Sequence, residues 1–137
     1  MKKFILVMLT GICLFSCGKG GSVVPSVPIN YTGQLFSPPL NKLSNGGPPQ
    51  FISGYGVAGL VIYKNIQGRY IAYDRCSSYQ PEKKCAVNVD DSGLTLIDPC
   101  SGSKFSLEDG SPVKAPATHS LRSYEVVQTQ FTIQVVN

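Results

Sequence analysis

The sequence predicts a small all-β domain, a sandwich or barrel-like stack of short antiparallel strands, and three observations carry that expectation. Fourteen glycines and ten prolines punctuate 137 residues. Short runs rich in β-branched and aromatic residues recur between turn signals. No window of useful length places apolar residues at the three, four and seven spacing of an amphipathic helix. A chain of this length holds one domain of ordinary size.

The strands follow in order. Ile29–Leu35 is a candidate edge strand. The next stretch, Ser37–Gln50, carries Pro38, Pro39, Pro48 and Pro49 and is expected to be irregular. Val57–Tyr63 reads as a strand that turns at Lys64–Gly68 into its partner Tyr70–Tyr73, a hairpin with a glycine-containing loop. Ala86–Val89 and Leu94–Ile97 flank Asp90-Asp91-Ser92-Gly93, a second hairpin signal. Lys104–Leu107 precedes the turn Glu108-Asp109-Gly110. Tyr124–Thr129 and Phe131–Val136 close the chain, the last with Phe131, Ile133 and Val135 on one face. There is no internal repeat.

The first residues read as a targeting segment. Lys2 and Lys3 open it, and an apolar run from Phe4 to Phe15 follows, broken only by Thr10 and Gly11. That run is too short for a bilayer, which needs about 20 apolar residues, but suits a signal peptide. Its end, Leu14-Phe15-Ser16-Cys17-Gly18, resembles the lipobox of bacterial lipoproteins. The pattern needs a small side chain at the cleavage subsite and a thiol that can be acylated. The resemblance implies a signal peptide over 1–16 and a lipidated N-terminus at Cys17. It also implies a flexible tether over 17–28 and a domain over 29–137. Anchoring rests on about 0.8 kcal/mol per buried CH₂, so several acyl chains hold firmly where one holds weakly. The expected location is the cell envelope, anchored to lipid and facing the periplasm, with the bilayer as one partner.

Charge adds little. Without Lys2 and Lys3 the 12 basic residues fall to 10 against 8 acidic ones, a formal +2. Lys83-Lys84 is the one basic pair in that remainder. Nucleic-acid binding would want a basic stripe, so no nucleic-acid partner is expected. The Asp90-Asp91 pair sits in a hairpin turn where adjacent carboxylates point apart, and a calcium loop would need more oxygens at alternating positions. Phe105, Leu107, Leu121 and Tyr124 read as core.

Two cysteine segments carry the chemistry. The first is Tyr73-Asp74-Arg75-Cys76-Ser77-Ser78-Tyr79, followed by Cys85. The second is Asp98-Pro99-Cys100-Ser101-Gly102-Ser103-Lys104-Phe105, followed by Asp109-Gly110, Ala115-Pro116-Ala117, Leu121 and Tyr124. The second segment resembles the Rieske family, whose pattern is Cys-x-x-His-Gly-Ser-x-Phe, an Asp-Gly turn, Pro-Ala, then Leu and Tyr. The first resembles that family's Cys-x-His loop. The resemblance implies a Rieske-like fold of stacked antiparallel sheets with a small loop subdomain.

A Rieske centre binds one iron through two cysteines and the other through two histidines. Carried over, its ligand positions become Cys76, Ser78, Asp98 and Ser101. A register shifted by one places Ser77 and Tyr79 there instead. The chain holds one histidine, His119, so two imidazoles cannot be supplied. Serine and aspartate lack the soft sulfur that favours iron–sulfur chemistry. No cofactor is expected. His119 falls where the family carries variable surface residues. A mononuclear metal on Asp98, Cys76 and His119 would need a departure from the fold to bring His119 to the loop pair.

The Rieske fold commonly ties its ligand loops with a disulfide between the second cysteine of each. Cys100 stands at one of those positions and Cys85 is the natural counterpart. Cys76–Cys100 and Cys76–Cys85 stay open as alternatives. The spacing from Cys76 to Cys85 exceeds the family's, which implies an inserted turn at Gln80–Lys84. Export permits a disulfide, and closing about 15 residues stabilises by roughly 3 kcal/mol. Ser103, which bonds a cluster sulfur in the family, reads here as a turn residue. Gly102 serves a positive φ or a close approach.

Two functions compete. The first is a cluster-free, non-enzymatic binding or structural module of the envelope, with a protein or small-molecule partner. The second is electron transfer through a [2Fe–2S] cluster with atypical ligands. No nucleophile, base and orienting group can be assigned for an enzyme.

Overall fold

The computed structural model describes residues 22–137. The expected signal peptide over 1–16, Cys17 and the first part of the tether lie outside the described residues.

In chain order the elements are β1 (Asn30–Gln34), a single helical turn α1 (Asn41–Ser44), β2 (Gln50–Ile52), β3 (Leu60–Lys64) and β4 (Tyr70–Asp74). Then come β5 (Asn88–Val89), β6 (Thr95–Ile97), β7 (Lys104–Ser106), β8 (Pro112–Lys114), β9 (Ser123–Gln128) and β10 (Thr132–Val136). Six strands form one antiparallel sheet in the order β1-β10-β9-β4-β3-β2, and four form a second in the order β5-β6-β7-β8. The smaller sheet is thus inserted between β4 and β9, which pair directly through Ala72–Tyr124 and Tyr73–Ser123.

The apolar run Leu60-Val61-Ile62 is unbroken because β3 is covered on both faces. Leu60 and Ile62, with Tyr70, Ala72, Tyr124, Ile133 and Val135, fill the core of the large sheet. Val61 and Tyr73 point the other way, into a second core with Val87, Leu96, Phe105, Leu107, Ala117 and Leu121 that joins the two sheets. The Tyr73 hydroxyl donates to the Leu107 carbonyl at 2.9 Å, so this ring meets both sheets with its polar tip satisfied. Each fully buried aliphatic or aromatic side chain here contributes about 1.5–3 kcal/mol.

The structure departs from the sequence expectations in several places. The stretch Ser37–Gln50 is not wholly irregular, because Leu40 and Leu43, three apart and fully buried, fold one helical turn onto the core. Beyond its prolines, β2 pairs with β3 at the sheet edge. Val57 and Ala58 do not extend β3, since the Asp74 carboxylate takes their N–H groups at 2.6 and 3.1 Å. β8 went unread because its first residue is proline, which a strand accepts only at an edge or a start. Phe131 does not share the buried face of Ile133 and Val135. It lies in the turn, 60% exposed, edge-on to Phe36.

The stretch expected as a tether over 17–28 is not free in its described part. Val24 is fully buried, and the Arg122 guanidinium donates to its carbonyl at 2.6 Å. The Asn137 amide donates to the Val27 carbonyl at 2.6 Å and accepts the Ile29 N–H at 3.1 Å. Residues 22–28 are therefore docked on the domain rather than free of it.

Candidate functional site

Two loops built on the same local device face each other at the tip of the small sheet. In each, an aspartate accepts the N–H of a cysteine two residues on, the geometry of an Asx turn. Asp74 Oδ1 accepts from Cys76 at 2.8 Å, and Asp98 Oδ1 accepts from Cys100 at 2.8 Å. Both carboxylates are fully buried.

The first loop leaves β4. Cys76 forms an isolated bridge with Ala86, and the Ser77 N–H donates to the Cys85 carbonyl at 2.8 Å, closing the loop at its base. Between them Pro81–Lys83 forms one 3-10 turn. It is flanked by Gln80 and Lys84, both at φ 51°. Left-handed backbone at a non-glycine residue costs about 1–2 kcal/mol, so this turn is tolerated because its ends are tied.

Cys76 is the free cysteine among the described residues. Its Sγ lies 3.5 Å from the Pro81 carbonyl oxygen and 3.6 Å from that of Ser77, so the thiol is spent inside its own loop. Burial, with the Asp74 carboxylate adding to it, pushes the thiol up to about 11. Ser77 Oγ accepts the Tyr79 N–H at 3.2 Å, and the Ser78 hydroxyl donates to the His119 carbonyl.

The second loop joins β6 to β7. Besides the Cys100 N–H, Asp98 takes the Ser101 hydroxyl at 2.6 Å on its other oxygen. Ser101 Oγ stands 2.9 Å from Ser103 Oγ, which accepts the Ala117 N–H at 3.0 Å. Ser103 therefore bonds within its own turn, where its N–H also donates to Ser101 Oγ at 3.2 Å, and reaches across to a third segment as well. Gly102 sits at φ 77° with open space where a Cβ would stand, so backbone conformation, not crowding, selects glycine.

That third segment carries Pro116, Ala117 and His119 over both loops. The His119 main chain reaches the loop pair, but the residue is exposed, as expected of a surface histidine. Cys76, Asp98 and His119 do not converge. The metal-capable group that does form among the described residues is Cys85, Asp98 and Cys100, with ligand atoms within 4.8 Å of one another. Of the three possible pairings, the structure contains Cys85–Cys100, with a Cα–Cα distance of 6.3 Å. A cavity of about 370 Å³ opens beside it, lined among others by Tyr79, Lys83, Asp98, Ser101 and Pro116. Of the four positions that the resemblance marks as former ligand sites, Asp98 and Ser101 line this cavity, and Cys76 and Ser78 do not.

Asp74 is the residue that sequence reasoning missed. It accepts N–H groups from Val57, Ala58 and Cys76, and the Tyr124 hydroxyl at 2.8 Å. Hydrogen bonding to this buried carboxylate, after burial itself, raises the Tyr124 hydroxyl well above its usual range. The available signal was the repeated Asp-x-Cys spacing at Asp74 and Asp98. The Asp90 carboxylate, weighed in sequence as half of an acidic pair, instead accepts from Lys104 at 2.7 Å and from the Ser92 N–H in its hairpin turn. Lys104 holds it well below the usual carboxylate range.

No protein-family model matches the sequence, and no curated protein is similar to it. Solved structures are similar in fold. The plasma membrane Rieske protein PetC3 of the cyanobacterium Synechocystis PCC 6803 superposes with a TM-score of 0.58 at 18% identity, over 82% of this chain and 100% of that one. The ferredoxin of carbazole 1,9a-dioxygenase from Nocardioides aromaticivorans IC177 gives a TM-score of 0.52 at 19% identity, over 81% and 98%. A large sheet, a small sheet inserted into it and two disulfide-linked loops at its tip together make this a Rieske-type fold.

Proposed function

We propose that the chain is an exported, lipid-anchored protein whose Rieske-type domain holds no [2Fe–2S] cluster and serves the cell envelope as a non-catalytic binding or structural module. The observation that carries this reading is the commitment of the four former ligand positions. The Cys76 thiol is buried against the Pro81 carbonyl, and Ser78 is bonded to the His119 main chain. Asp98 and Ser101 are bonded to each other. A Rieske centre needs two thiolates and two imidazoles, and the residues present do not fit it. The non-catalytic part of this reading is supported by the one histidine, His119, which meets Ser78 through its backbone carbonyl.

The competing reading is electron transfer through a cluster on atypical ligands. It is favoured by the fold and by the open cavity between the loops. Iron and acid-labile sulfide analysis on the full chain, purified without reduction, separates the two. The module reading expects colourless protein without stoichiometric iron; two irons and two sulfides per chain, with a visible charge-transfer spectrum, overturn it. Mass analysis of membrane-extracted protein tests the anchor. A chain beginning at Cys17 and carrying acyl groups is expected, and a Cys17→Ser chain should be unacylated.

A further inference from the structure

We propose that one wall of the cavity is a thiol-gated site for a single thiophilic divalent cation: once the Cys85–Cys100 disulfide is reduced, the two thiolates and the Asp98 carboxylate bind zinc or a similar ion. The site goes beyond the cluster-free reading and rests on it for Asp98, which is one of the four former ligand positions. The cluster would have used Cys76, whereas this site leaves that residue out.

Geometry carries the inference. Cys85 Sγ, Cys100 Sγ and an Asp98 oxygen already lie within 4.8 Å of one another. Two thiolates on a tetrahedral zinc, each about 2.3 Å from it, stand about 3.8 Å apart. Reduced sulfurs reach that separation by side-chain rotation while the Cα atoms keep their 6.3 Å spacing. Each Asp98 oxygen accepts one hydrogen bond, from the Cys100 N–H and from Ser101, and keeps a lone pair free. Those two donors fix the carboxylate as outer-shell partners fix a metal ligand.

Charge favours occupation. Asp98 is fully buried, and no salt bridge reaches it among the described residues. A buried carboxylate satisfied only by neutral donors gains from a cation beside it. Lys83, also on the lining, is exposed. Two sulfurs and one oxygen select zinc over magnesium or calcium, and the cavity leaves room for water at the fourth position.

The gating step balances. A dithiol reductant delivers two electrons and two protons, the Cys85–Cys100 bond breaks into two thiols, and the reductant leaves as its cyclic disulfide. Zinc then displaces the two thiol protons.

Zinc titration of the full chain, reduced with a phosphine and freed of excess reductant, tests the proposal, with cobalt(II) as the spectroscopic probe. Reduced protein should bind one zinc per chain and show cobalt–thiolate charge-transfer bands, and oxidised protein should bind none. Cys76→Ala should retain the site. Asp98→Asn, which keeps an oxygen for the Cys100 N–H, should weaken zinc binding by about ten-fold or more. X-ray absorption of the unsubstituted zinc form gives an answer even if that variant misfolds: two sulfurs with oxygen neighbours are expected. Reduced protein that binds no zinc, equal binding by the oxidised chain, an unchanged Asp98→Asn affinity, or a third sulfur recruited from Cys76 would each overturn the proposal.

Discussion

The two Asp-x-Cys loops begin alike and end differently. At Asp74 the turn is turned inward: the carboxylate gathers three N–H groups and the Tyr124 hydroxyl, and the cysteine that follows is buried. At Asp98 the same turn faces a cavity, its carboxylate takes two donors, and the cysteine that follows is exposed and cross-linked. One local device thus serves two ends. Where the surroundings supply donors, the aspartate is a fold anchor. Where they supply open space, it becomes part of a candidate site.

Substitution should separate the two roles. Asp74→Ala strands several buried donors at once, each costing about 1–3 kcal/mol and not additively, so a loss of roughly 4 kcal/mol is expected. That is a large part of the stability of a small domain. Asp98→Ala releases a Cys100 N–H and a serine hydroxyl that water from the cavity can reach, and should cost about 1 kcal/mol. Urea unfolding of both variants checks the contrast; equal losses would break it. The next effect in size is reduction of Cys85–Cys100, which opens a link of sequence separation 15 and should cost roughly 3 kcal/mol in the chain-entropy model. Hydrogen exchange should then rise in the Cys100 loop while the Cys76 N–H, held by Asp74, stays protected. Loss of protection in both would mean that the cross-link, not the carboxylate, secures the first loop.

Much of the fold was legible because its signals are local. The Leu60-Val61-Ile62 run, the Asn65–Gly68 turn and the alternation ending at Ile133 and Val135 each announce a strand or hairpin through near neighbours. What sequence could not show was long-range capture. Val57 reads as strand, yet its N–H is taken by a carboxylate 17 residues away. No local pattern singles out Gly56, yet a Cβ there would meet that same carboxylate. Val24 reads as tether, yet Arg122 pins it from across the chain. The site was half legible for the same reason. Cysteine spacing identified the two loops, but which sulfur faces the cavity and which faces the core depends on where the third segment lies.

The smallest effect concerns the buried sulfur and tests the inward loop directly. Burial, reinforced by Asp74, pushes the Cys76 thiol up to about 11 from an ordinary value of 9.0. Between those values the unfolded chain has lost the proton that the folded chain keeps, so stability falls as pH rises from about 9 to 11. Below 9 both states are protonated and this group adds no slope. Cys76→Ala should therefore flatten the stability curve in that window without touching it at neutral pH, beyond a shift from lost packing. Buried tyrosines, with hydroxyls also raised, act in the same direction above 10, so the comparison must be the difference between the two proteins. A thiol-reactive disulfide probe gives the kinetic counterpart: native protein at pH 8 should react far more slowly than urea-unfolded protein, because the thiolate is scarce and the sulfur is buried against the Pro81 and Ser77 carbonyls. Rapid labelling of the native chain would show that the first loop opens readily, and the contrast with the Asp98 loop would lose its physical basis.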